Sequence, residues 1–243
     1  MEEKKKILED FKEILVLTKK YIKQEKERGV GEIPISRRSQ VAGRWSQTSD
    51  ERRAISNKPA KALEGLRKEV EGCRKCSLWR SRNNVVFGEG NPSAKLILVG
   101  EAPGRKEDLQ GKPFVGAAGQ LLTKILASIG LKREDVFIGN ILKCRPPMNR
   151  NPKPEEIKAC WGYLDRQLKI IRPKIILAMG TFAAQTLLRT DERISRLRGK
   201  FYPFAKGVKL IATYHPAALL RNPGYKKAVW EDMKLLKKEY QKL

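Results

Sequence analysis

The chain has a single histidine, His215, among 243 residues. Hydrolytic zinc centres take two or three imidazoles, so this scarcity argues against a zinc-bound nucleotide hydrolase. Phosphate-loop signatures are missing too. Neither G-x-x-x-x-G-K-[ST] nor G-x-G-x-x-G occurs, which removes the usual backbone cradles for nucleotide phosphates. No apolar run reaches membrane-spanning length. The N-terminal MEEKKKILED is charged and has neither the apolar stretch nor the cleavage site of a secretory signal. The expectation is a soluble cytoplasmic protein with no membrane partner. Acidic residues are also short, with 27 Asp and Glu against 52 Lys and Arg and a net charge of +25. No internal repeat is present.

The surplus of basic residues attracts polyanions, and nucleic acid is the leading candidate. An acidic membrane, an acidic protein, or a solvated Lys-rich surface of the heat-adapted kind are the alternatives. Hydrophobic residues make up 40% of the chain, enough for a packed core. Apolar residues recur at helical spacing over 2–28, from Ile7 to Ile22, and Gly29 and Gly31 stop that helix. The segment 32–58 is rich in Ser, Arg, Gly and Pro without a period and reads as a basic arm. A two-part organisation follows, with a helix and arm over 1–58 and a folded domain over 59–243. In the domain a short helix over 60–70 precedes an alternation of strands (95–99, 135–142, 174–179, 208–214) and helices. That pattern predicts an α/β fold with a mostly parallel sheet covered on both faces.

The unusual residues collect where each strand ends. GEAPG follows the first strand, Asn140 closes the second, Gly180-Thr181 follows the third, and His215-Pro216 follows the fourth. Carboxyl ends of parallel strands share one edge, where ligands bind. In GEAPGRKEDLQGKPFVGAAGQ, Glu101, Glu107 and Asp108 are unsuited to phosphate. Phe114 is either a core residue or a ring at the cleft wall for stacking on a flat ligand such as a base. Asn140 offers a donor and an acceptor, as a pyrimidine edge requires. His215 is either structural or placed to stabilise a developing anion. Beyond it, Leu219, Leu220 and Arg221 form an apolar tip beside a charge, suited to entering a base stack or to packing in the core. Cys73-Arg74-Lys75-Cys76 forms C-x2-C, with Cys144 and Cys160 further on. These four read as ligands of zinc or of an iron–sulfur cluster, or as buried thiols.

Together GEAPGRKEDLQGKPFVGAAGQLL, the four cysteines at these intervals, NILKCRPPMNRNP and HPAALLRNP resemble the family 4 uracil-DNA glycosylases, thermostable iron–sulfur enzymes of archaea and bacteria. The resemblance runs from about Leu66 to the C-terminus. It implies a three-layer αβα fold with a four-stranded parallel sheet. It implies a [4Fe–4S] cluster, rather than zinc, on Cys73, Cys76, Cys144 and Cys160. It implies a monomer that repairs DNA by flipping uracil out of single- or double-stranded DNA and hydrolysing its N-glycosidic bond. By motif match, Phe114 stacks on uracil against Gly100, and Asn140 reads N3–H and O4. Glu101 and Glu107 shape the pocket and place the water, and His215 supports O2. Leu219 fills the gap in the duplex, with Arg221 near phosphate. A related family has aspartate where this chain has Ala102, so no carboxylate stands there as general base. A non-catalytic iron–sulfur protein that binds nucleic acid on the same scaffold is the competing reading. The N-terminal extension is a candidate contact for a repair or replication partner.

Overall fold

The computed structural model of the chain describes residues 59–243, Lys206 excepted. The helix expected over 2–28 and the arm over 32–58 lie outside the described residues. At the centre is a six-stranded sheet in the order β1-β3-β2-β4-β6-β5. Its strands are β1 (Glu89–Gly90), β2 (Leu96–Gly100), β3 (Phe137–Asn140), β4 (Ile175–Met179), β5 (Phe201–Ala205) and β6 (Val208–Thr213). The middle four are parallel and carry the apolar runs. Every residue of β2, β3 and β4 is buried, as expected of parallel strands covered on both faces.

The sheet therefore exceeds the expected four strands by two, both antiparallel edges. Neither has a strand signature. β1 is a two-residue hydrophilic step, and β5 holds Pro203, which cannot donate to a ladder and suits only an edge.

The helices are α1 (Pro59–Glu71), α2 (Arg105–Gln110), α3 (Ala117–Ser128), α4 (Pro154–Ile171), α5 (Thr181–Leu188), α6 (Ile194–Leu197), α7 (Pro216–Arg221) and α8 (Tyr225–Tyr240). α4 starts with Pro154 and acids in its first turn, which its N-terminal dipole favours. α1 packs on α4, assisted by an ion pair from Arg166 to Glu69. That pairing brings the loop after α1, with Cys73 and Cys76, towards Cys160 in the middle of α4. Among the described residues no helix is long and apolar enough to cross a membrane.

Candidate active site and cysteine site

A cleft of about 610 Å³ opens at the carboxyl ends of the parallel strands. Its floor depends on register. Gly100 of β2 pairs with Asn140 of β3. A Cβ at Gly100 would fall 2.4 Å from Asn140 Oδ1 and 2.7 Å from Phe114 Cζ. Only a residue without a side chain lets the amide and the ring meet across the strand end. Asn140 is buried and its Oδ1 has no hydrogen-bond partner, an acceptor that a ligand N–H would satisfy.

Phe114 sits in a left-handed conformation, φ 54°, uncommon for a bulky residue. Three groups hold it there. Glu107 Oε1 accepts from the N–H groups of Val115 and Gly116, both at 2.9 Å. Arg133 donates to the carbonyls of Pro113 at 2.8 Å and Phe114 at 3.3 Å. Gly119 in α3 leaves room for the Phe114 carbonyl, which would lie 1.7 Å from any Cβ there.

The Phe114 ring stacks on His215 with centroids 5.4 Å apart and planes at 30°. His215 caps α7: its Nδ1 accepts from Ala217 N–H at 3.1 Å, so in the neutral ring the proton is on Nε2. Burial, with help from the Arg221 cation and against the Glu107 carboxylate, lowers its pKa to about 4. The imidazole is thus a neutral donor at physiological pH. Glu101 also lines the cleft, where burial raises its pKa against the pull of Arg221.

The four cysteines are free thiols around one small cavity. Their sulfurs accept hydrogen bonds: Cys144 from Arg82 Nη1 at 3.2 Å, Cys160 from Lys143 N–H at 3.4 Å and Cys73 from Lys75 N–H at 3.5 Å. Burial pushes the Cys160 thiol up to about 11 and raises those of Cys144 and Cys76. Among the described residues no group of three His, Cys, Asp or Glu side chains could hold a single metal ion. Four soft donors line one cavity, a set that could hold a metal centre.

Comparison with known proteins decides the lineage. The family described as the uracil DNA glycosylase superfamily matches residues 87–234. The chain belongs to that superfamily. It is 52% identical over 180 residues, 71% of its length and 90% of the relative's, to a type-4 uracil-DNA glycosylase of Archaeoglobus fulgidus. It is 49% identical to a type-4 enzyme of Saccharolobus solfataricus, over 72% of this chain and 85% of the relative. A type-5 uracil-DNA glycosylase of Pyrobaculum aerophilum is 30% identical, over 67% and 78%.

Within this superfamily fold Gly100, Glu101, Glu107, Phe114, Asn140, His215 and Arg221 all border the same cleft or its floor. Leu219 does not join them. It is 2% exposed and packs in the core with Phe114, Leu122 and Met233. Helical rotation by one residue turns Leu220 outwards, at 51% exposed, and the apolar tip is Leu220. Glu107 proves to be a staple for the Phe114 loop as well as a cleft residue. Two further residues bear on the site. Arg133 stands in the charged turn LKRED, which carries no sign of its clamp on the Phe114 loop. Lys143 is fully buried, and its signal was visible: a lone lysine inside NILKC, at the end of an apolar strand.

Proposed function

We infer that this protein excises uracil from DNA, hydrolysing the N-glycosidic bond and leaving an abasic site. The observation that carries the reading is the orphaned Asn140 Oδ1 buried beside the Phe114 ring across a side-chain-free Gly100. An imide N–H over an aromatic face satisfies both. Uracil donates N3–H to Oδ1 and accepts at O4 from Nδ2, while Phe114 supports its plane. Cytosine has an acceptor at that nitrogen and leaves Oδ1 facing a lone pair.

Cleavage of the C1′–N1 bond leaves an oxocarbenium-like sugar and a uracil anion with charge on O2. His215 Nε2–H is a neutral donor to that oxygen and needs no proton transfer to work. Glu101, at the cleft wall with a raised pKa, supports a role in orienting the attacking water, whose oxygen joins C1′ as its proton leaves to solvent. Leu220 fills the space the base vacates, and Arg221 meets a phosphate. The surplus basic charge, including the arm over 32–58, supplies further phosphate contacts and a surface for a repair partner.

The four cysteines would hold a [4Fe–4S] cluster, which would tie α1, α4 and the loop after β3 together. The four-sulfur donor set and its N–H···S bonds support a thiolate-bound metal centre, and the family resemblance favours the cluster over zinc. The decisive assay is strand scission of a uracil-containing oligonucleotide after enzyme and alkali, beside the same strand with thymine. Scission at uracil only is expected, and an intact uracil strand would remove the function.

A further inference from the structure

Among the described residues, one buried cation has no part in the mechanism above. Lys143 is 1% exposed, and its Nζ donates to the Asn140 carbonyl at 2.8 Å and to Gln167 Oε1 at 2.6 Å. Gln167 is itself fixed, with Nε2 donating to the Phe87 carbonyl at 2.9 Å. The Asn140 carbonyl has a topological reason to need this partner. β1 pairs with β3 only at Phe137 and Ile138, so the outer edge of β3 has no strand beside Asn140. The ammonium group takes the place of a missing ladder donor.

Both acceptors of Lys143 Nζ are neutral. A cation withdrawn from water persists where an anion offsets the lost hydration. The sulfurs are the groups in place to do so. The Lys143 backbone N–H donates to Cys160 Sγ at 3.4 Å, and Cys144 is the next residue. Arg82 approaches Cys144 Sγ from the other side. Lys143 and Arg82 both line the cavity shared by the four cysteines, and a cluster on four thiolates would be net anionic.

We propose that Lys143 is a positioning residue that joins the cysteine site to base recognition: its charge is balanced by the cysteine-bound cluster, and its ammonium fixes the Asn140 backbone, and so the amide that reads uracil. This rests on the glycosylase reading and on an iron–sulfur cluster at the four cysteines. Losing the strut leaves the end of β3 held only from its inner side, by Ile141 and Leu142 N–H donating to the Gly100 and Glu101 carbonyls, and a displacement on the order of 1 Å there is enough to cost about a hundredfold in rate.

The experiment uses the full-length holoprotein, starting with iron content and uracil excision by the wild type. Absence of iron, or of excision, there overturns the reading beneath the proposal. Lys143→Met keeps the length of the side chain and removes the charge. It is expected to shift the cluster's reduction potential to a more negative value, because a cation no longer favours the reduced state. It is also expected to weaken inhibition by free uracil by roughly ten- to a hundredfold. A purely structural lysine would lower the melting temperature and move neither readout. A wild-type potential overturns the charge link, and wild-type uracil inhibition overturns the strut. If Lys143→Met does not fold, Gln167→Leu decides. It keeps the cation and removes one anchor of Nζ, and a severalfold weaker uracil inhibition at an unchanged potential is expected. Wild-type inhibition in that variant overturns the proposal.

Discussion

At the scale of the residue, the proposed chemistry rests most on His215. Its Nδ1 is occupied by the Ala217 N–H, and burial holds its pKa at about 4. His215→Ala is expected to lower the single-turnover rate by about 10²–10³ with little change in DNA affinity; equal rates would reject the role. Protonation fills Nδ1 and breaks the cap. The unfolded chain takes up this proton near pH 6.5 and the folded one only near 4. The contribution to stability is therefore complete above pH 6.5 and declines as pH falls through that window. The wild-type rate should show no histidine inflection between about pH 6 and 8. Leu219 and Leu220 separate core from surface one residue apart. Leu219→Ala should cost about 2–5 kcal/mol of stability, read from denaturant unfolding. Leu220→Ala should leave stability unchanged and slow excision from duplex more than from single strands. The reverse outcome would return the wedge to Leu219.

At the scale of the element, the loop from Pro113 to Gly116 is the informative piece. It has no regular structure of its own and is held from two sides, by Glu107 at its N–H groups and Arg133 at its carbonyls. A left-handed non-glycine residue costs on the order of 1–3 kcal/mol and persists because its surroundings over-determine it. Arg133→Ala removes one side of the clamp. A loss on the order of tenfold in kcat/KM for a single-stranded uracil substrate is expected, equivalent to about 1.4 kcal/mol. Unchanged kcat/KM would show that Glu107 and Gly119 suffice. Parallel strands were legible in the sequence because both faces are buried and their runs are continuously apolar. The site was legible because those strand ends share one edge. The edge strands were not, since β5 carries Pro203 and β1 is two residues long. Nor was the facing of α7, because six residues contain too little period to tell Leu219 from Leu220.

At the scale of the whole molecule, the net charge of +25 sets how the protein meets its substrate. Phosphate contacts release counterions, so affinity falls steeply with salt. If Arg37, Arg38, Arg52 and Arg53 of the arm meet phosphates, changing all four to alanine should reduce the slope of log K against log salt by up to about 3–4. An unchanged slope would assign DNA contact to the folded domain alone. Composition gives the molecule one more property. Because His215 is the single histidine of the chain and lies in the cleft, isotope labelling of histidine alone lights up nothing but the active site. Its two ring nitrogens form a built-in spectroscopic reporter, free of overlap, that follows tautomer, ligand occupancy and pH in the intact protein without any engineered probe.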